Sequence, residues 1–140
     1  MADVKFQKKI TIAASREEVW NALVSPEAVE QYHLAPLHRI ELKKEGRIIY
    51  GTEDKVMISG RILEIDAPQK LVHTFVFGPE ATPGTQADAA TTVSYTLSEN
   101  GSETILTLVH SGFEEENQTF ANIAGGWPHI LENLKKMLHP

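Results

Sequence analysis

The sequence predicts an α+β domain: a curved antiparallel seven-stranded sheet wrapped around a long C-terminal helix, with two short helices after the first strand. Three observations point there. From residue 37 to residue 111, apolar and polar residues alternate in short runs separated by turn residues. In "GGWPHILENLKKMLHP" (125–140), Trp127, Ile130, Leu131, Leu134 and Leu138 recur at helical spacing. Ahead of both, "SREEVW" and the Ser25-Pro26 step give two helix-start signals in close succession. A sheet with one apolar face and a helix with one apolar stripe each need cover, and each is the obvious partner of the other.

The elements follow in order. In "VKFQKKITIAA" (4–14), Val4, Phe6, Ile10 and Ile12 share a parity that Lys8 interrupts, which reads as a strand with a partly buried face. Ser15 and Glu18 fit the S-x-x-E capping box, in which hydroxyl and carboxylate each satisfy an orphan backbone N–H, worth about 1 kcal/mol. The helix it opens, 16–23, carries Val19, Trp20 and Leu23 on one face. Ser25 and Pro26 restart the chain as N-cap and first helical residue of a second helix, 26–32, and Pro36 ends the region.

Six strands are then expected, at 37–43, 46–51, 55–65, 70–77, 90–98 and 103–111, with turns at Glu45-Gly46, Glu53-Asp54, Asp66-Ala67-Pro68 and Asn100-Gly101. If Asn100 and Gly101 are the two central residues of a type I′ hairpin, Glu99 faces Ser102, Tyr95 faces Leu106, Val93 faces Leu108 and His110 faces Thr91. Thr92, Ser94 and Thr96 then share the wet face with Ile105, Thr107 and Val109. In "KLVHTFVF", Leu71, His73, Phe75 and Phe77 are placed inside. The connection "GPEATPGTQADA" (78–89) is long enough to be functional or disordered. The acidic run Glu114-Glu115-Glu116 reads as favourable charge before a helix N-terminus. The last stripe begins at Phe120, Ile123 and Ala124; Pro128 within it predicts a kink or break at 124–128 and a firm helix at 127–138.

The bulk numbers bound the function. A chain of 140 residues, 41% hydrophobic and 23% charged, suits one globular domain over 1–140. No apolar run approaches the ~20 residues that span a bilayer, so no membrane insertion is expected. The opening "MADVKFQKKI" lacks the apolar core of a secretory leader, which makes the cytoplasm the default location. The absence of cysteine excludes disulfides, thiolate catalysis and Cys-based zinc sites. A net charge of −6 disfavours nucleic acid and anionic membrane as partners. His33 and His38, five apart across Pro36, fit no metal motif, and no cofactor is expected.

The order strand, two helices, six strands, terminal helix resembles the helix-grip fold of the START-like superfamily, also called SRPBCC. Within it the chain is similar to the group named for the activator of heat-shock protein 90 ATPase. The stretches that carry the likeness are "VWNALVSPEAVEQY" (19–32), "GRILEIDAPQKLVHTF" (60–75), "TILTLVHSGF" (104–113) and "GGWPHILENLKKML" (125–138). Members of the group often have a Trp soon after the second short helix, where this chain has Tyr32-His33. The resemblance implies a cavity between sheet and terminal helix, in which relatives bind lipids, hormones or polyketides and a few catalyse cyclisation or hydrolysis. Fold does not fix function, so the site must carry the argument.

Ligand-lining candidates come from the elements that would face that space. The helices offer Trp20, Tyr32, Phe120, Trp127 and Leu131, and the strands offer Tyr50, His73, Phe75, Phe77, Tyr95, Leu108 and His110. Each has a plainer reading. For Trp127 it is ordinary core packing on the sheet, with Gly125 and Gly126 allowing a close backbone approach. His73 and His110 have no carboxylate placed to orient them, which favours structural roles over general-base roles. Tyr50 and Tyr95 fit a cavity rim as well as a ligand contact. Glu64 and Asp66 lead into a turn and read as solvated.

Three functions follow. The first is a domain binding a small lipophilic or amphipathic molecule, with no defined catalysis. The second is a cyclase-like or hydrolytic enzyme using the cavity His and Tyr side chains, for which the sequence offers no coupled catalytic pair. The third is a co-chaperone acting on a heat-shock protein in a stress response; the co-chaperones that name the group carry a further N-terminal domain, and here the first strand begins within a few residues of Met1. A homodimer through a sheet edge or the terminal helix is compatible with the pattern.

Overall fold

The computed structural model of the chain describes residues 4–33, 36–52, 56–77, 91–113 and 118–138. The expected turn at Glu53-Asp54, the connection 78–89 and the acidic run at 114–116 lie outside them. The element order is β1 (Val4–Ile12), α1 (Arg16–Val24), α2 (Pro26–Tyr32), β2 (Leu37–Ile40), β3 (Arg47–Gly51), β4 (Val56–Asp66), β5 (Lys70–Phe77), β6 (Thr91–Asn100), β7 (Glu103–Phe113) and α3 (Gln118–Leu138). The seven strands form one antiparallel sheet in the order β1-β7-β6-β5-β4-β3-β2. Strands β2 to β7 are therefore a meander, and β1 closes it against β7. No helix among the described residues is long and apolar enough to cross a membrane.

Local chemistry explains the helix ends. Ser15 Oγ accepts from Glu18 N at 3.2 Å, and Glu18 Oε1 accepts from Ser15 N at 3.3 Å, which completes the capping box. Ser25 ends α1 and begins α2, with Pro26 in the first turn. Its hydroxyl does not cap the backbone as the sequence suggests; it donates to Glu27 Oε2 at 3.1 Å, while its carbonyl accepts from Val29 N. Strand β2 stops at Ile40 rather than 43 because the chain turns there, with Lys43 N bonded to Glu41 O and Gly46 N to Lys43 O.

The β6–β7 hairpin corrects the expected register. Asn100 pairs with Glu103, so Gly101 and Ser102 are the central turn residues, and Gly101 takes φ +67°. Glycine at the first central position is the type II′ requirement, which a side chain meets only with strain. Tyr95 accordingly faces Leu108, and Val93 faces His110. The slip is two residues, so every side chain keeps its predicted face. Thr91, Val93, Tyr95 and Leu97 are buried with Leu106, Leu108 and His110, while Thr92, Ser94 and Thr96 lie on the wetter side.

Ladders β5–β6 and β6–β7 run in register throughout. The pairs β1–β7, β2–β3, β3–β4 and β4–β5 each carry a register shift. Bulges bend a strand and raise its twist. The flanks of the sheet therefore curl while its centre stays regular, and α3 lies in the hollow. Its stripe of Ile123, Trp127, Ile130, Leu131 and Leu134 is buried. The predicted break at 124–128 is absent: α3 runs unbroken through Pro128, whose ring is on the exposed side. Burial of the flanking Trp127 and Leu131 holds the turn that proline weakens. Gly125 is exposed too, and a Cβ added there meets nothing within 4 Å, so it serves no close approach.

Gly60 is the opposite case. A Cβ there would lie 1.9 Å from the Thr74 carbonyl oxygen, where β4 crowds β5. Gly60→Ala is expected to lower stability by about 2–3 kcal/mol in urea unfolding, because backbone must move. Gly125→Ala should raise it by up to about 1 kcal/mol, since a helical residue in open space gains only propensity.

Candidate ligand site between the sheet and the terminal helix

Trp127 reaches from α3 onto the sheet between β6 and β7. Its ring centre lies 6.2 Å from Tyr95 and 6.1 Å from His110, edge-on to both. Its Nε1–H donates to His110 Nδ1 at 3.0 Å. That bond fixes the tautomer, because Nδ1 must accept and the proton therefore sits on Nε2. His110 Nε2 lies 2.8 Å from Thr91 Oγ1, and the Thr91 hydroxyl donates to the Phe75 carbonyl at 3.2 Å. The relay Trp127 to His110 to Thr91 to Phe75 O is complete with His110 neutral. Phe75 closes against the same imidazole at 4.6 Å, edge-on.

A second group adjoins it. His33, just after α2, stacks on Tyr50 of β3 at 4.7 Å and 19° and meets the edge of Trp127 at 6.0 Å. His73 of β5 sits between Tyr50, 6.4 Å away, and Tyr95, 5.9 Å away. The Tyr95 hydroxyl donates to the Tyr50 oxygen. Tyr32 lies 6.3 Å from His33 and gives its hydroxyl proton to the Ala22 carbonyl at 2.7 Å. His73 Nδ1 is 2.7 Å from the Thr74 carbonyl, which can only accept, so Nδ1 carries the proton. Its Nε2 is buried and finds no partner among the described residues.

Burial sets the charge states. Burial, joined by like-charge repulsion from His73, lowers His33 to about 4 and His110 to about 3, and burial lowers His73 to about 4 against the opposing pull of its Thr74 hydrogen bond. Burial also raises Tyr32, Tyr50 and Tyr95 above the ordinary phenol value, with the Tyr95 hydrogen bond partly offsetting this at Tyr50. Every ring is thus neutral at neutral pH. No Asp, Glu, Lys or Arg is fully buried among the described residues. The site offers ring surfaces and hydrogen-bond positions rather than charge.

Most sequence candidates converge here. Tyr32, Tyr50, His73, Phe75, Tyr95, His110 and Trp127 form one connected aromatic layer. Tyr50 and Tyr95 are 4% and 5% exposed, which makes them interior residues and not a rim. His110 comes two residues closer to Tyr95 along the ladder than the expected register allows. Trp20, Leu108 and Leu131 are buried in the core without joining the ring contacts, and Phe120 is half-buried beside it. The Phe77 side chain lies outside the description. Glu64 pairs with Lys70 at 3.2 Å in solvent, and Asp66 accepts from Gln69, as turn residues do. His33 and Thr91 were missed as site residues. The Tyr32-His33 pair in place of the usual Trp was the available signal for His33. Thr91 had none, since a threonine in an alternating strand looks like any other.

The described residues also line an open groove of about 350 Å³ on the opposite face of the sheet, formed by Arg47, Ile49, Ser59, Gly60, Arg61, Thr74 and Val76. It lies away from α3 and shares no side chain with the aromatic layer.

Two outcomes are expected. Each buried histidine binds a proton near pH 6.5 when unfolded and only near 3–4 when folded. Stability is therefore full above pH 6.5 and falls as pH drops toward 4. With three such groups the slope approaches roughly 4 kcal/mol per pH unit, readable from urea midpoints across pH 4–8. Trp127→Phe keeps the ring but removes the donor, and leaves His110 Nδ1 buried and unpaired. It should cost about 1–3 kcal/mol. A cycle with His110→Phe should show coupling well above the ~0.5 kcal/mol of independent sites.

The comparisons with known proteins accord with this architecture. The solved structure of CalU16 from Micromonospora echinospora is 23% identical, with a TM-score of 0.75 over 97% of this chain and 76% of that one. Protein MLL2253 from Mesorhizobium loti is 21% identical, with a TM-score of 0.80 over 96% of both chains. The Aha1 dimer from Colwellia psychrerythraea is 18% identical, with a TM-score of 0.77 over 96% of both. Identities this low show a shared fold and no more. No curated protein matches the chain by sequence. The family described as activator of Hsp90 ATPase homolog 1-like protein matches residues 13–139, nearly the whole chain, and the chain belongs to that family.

Proposed function

We propose that the chain binds a small hydrophobic or amphipathic molecule between the sheet and α3, with no chemical conversion. The observation that carries the reading is the concentration of polar rings in that one layer. Three tyrosines and two histidines are each at most 5% exposed there. A core whose task is only to dock a helix is served by aliphatic side chains, because every buried polar group must find a partner or cost stability. Apolar walls with a few oriented polar groups are instead the composition of ligand pockets. Membership of the family supports the reading by fold.

The arrangement favours binding over catalysis. His110 has both nitrogens engaged, and the tyrosines hold their protons firmly. Among the described residues His73 Nε2 has no partner and no buried carboxylate beside it, and burial makes it a weak base. A homodimer is a separate proposal. It rests on the exposed edges β1 and β2 and on the likeness to the Aha1 dimer from Colwellia psychrerythraea, and sedimentation of the purified chain tests it.

The protein purified from its host should carry a non-covalent small molecule in native mass spectrometry. A broad lipophilic library should contain compounds that raise the melting temperature. At a ligand concentration one hundred times Kd the gain is about 2.7 kcal/mol, or several degrees. A clean apo mass together with no shift across the library overturns the reading.

A further inference from the structure

Resting on that reading, we propose that the ligand is a neutral aromatic alcohol or phenol whose hydroxyl donates a hydrogen bond to His73 Nε2. The argument begins with tautomer. His73 Nδ1 is 2.7 Å from the Thr74 carbonyl oxygen, and a carbonyl has no proton to give, so the ring's proton is on Nδ1. Nε2 then presents a lone pair. It is the ring nitrogen farther from the backbone, on a strand whose face turns toward α3. The residue is 1% exposed, and Nε2 has no hydrogen-bond partner among the described residues. A buried acceptor left unpaired is rare in folded proteins, because it loses its water and gains nothing.

Most neighbouring groups are engaged by contrast. His110 is bonded through both nitrogens, Tyr32 gives its proton to Ala22 O, and the Tyr95 hydroxyl donates to the Tyr50 oxygen. The unpartnered acceptor belongs to a ring set between Tyr50 at 6.4 Å and Tyr95 at 5.9 Å. A group that pairs with it must bring an O–H or N–H. The walls give the rest of the ligand. Tyr50, already stacked with His33, and the edge of Trp127 suit a flat ring. The absence of fully buried Asp, Glu, Lys or Arg among the described residues leaves nothing to neutralise an ionised head group. A carboxylate, which only accepts, meets an acceptor here and is repelled. The proposal therefore separates aromatic alcohols from fatty acids, and hydroxylated rings from their ethers.

A matched pair tests it: 2-naphthol, which donates, and 2-methoxynaphthalene, which cannot. Titration calorimetry on the full chain at pH 7.5 should give 2-naphthol at least a tenfold lower Kd than the ether. His73→Phe should bring the two within about threefold of each other while the ether still binds. Because that variant could fail to fold, the wild-type protein supplies an independent reading. With ¹⁵N-labelled histidine, the Nε2 resonance of His73 should move on adding 2-naphthol and stay in place with the ether. If both compounds bind equally well and the Nε2 resonance is unmoved by either, the donor requirement is wrong and the acceptor is met by water, while the pocket itself stands. If neither compound binds, and the wider lipophilic library also produces no shift, the pocket reading falls and takes this proposal with it.

Discussion

The hydrogen bond from the Trp127 indole to His110 is the constraint around which the rest is organised. A helix laid on a sheet by apolar contact alone is free to slide or roll, since hydrophobic burial has no direction. A buried N–H bonded to a buried imidazole nitrogen has both length and angle, and breaking it strands two polar groups. The bond fixes where α3 sits along β7 and how its stripe is rotated. It also ties the terminal helix to β6 and β5, because the same imidazole continues through Thr91 to the Phe75 carbonyl. One polar line thus crosses the layer from helix to sheet while the surrounding contacts remain non-directional.

That line divides the aromatic layer into two parts with different physical states. On the His110 side every donor has an acceptor, and the rings are locked. On the His73 side one ring nitrogen, Nε2, has no partner among the described residues. The two histidines share a face of the sheet, a depth and a neutral charge state, so burial alone does not distinguish them. Satisfaction does. The first pins the fold, and the second holds a hydrogen-bonding capacity that the chain leaves unused.

The sheet supports this division by its own irregularity. Its central ladders are regular, and they carry Thr91, Val93, Tyr95, Leu108 and His110, the residues that meet Trp127 or its partners. The bulged flanks bring Tyr50 on β3 toward the helix, and α2 delivers His33 onto it. Curvature is therefore what converts residues distant in sequence, from position 33 to position 127, into one connected group.

Periodicity and turn chemistry determined the elements, their order and their faces. Alternation with period two places His73, Tyr95 and His110 inside whatever the register, which is why a hairpin misjudged by two residues left the core assignment intact. Cap chemistry located α1 and α2 because it acts within four residues. What depends on partners far along the chain was decided only by the tertiary structure. Pro128 signals a broken helix locally, yet the buried Trp127 and Leu131 on either side hold it continuous. The hairpin's central pair was set by which residue best takes a positive φ beside the strands' own packing, and Gly101 displaced Asn100 from it. His33 became a wall of the site through a strand and a helix that the sequence places 17 and 94 positions away, at Tyr50 and Trp127. Nothing within a local window encodes whether a buried nitrogen will meet a partner. That is settled by three-dimensional proximity, and so the unpaired His73 Nε2, unlike the strand that carries it, could be found only in the folded chain.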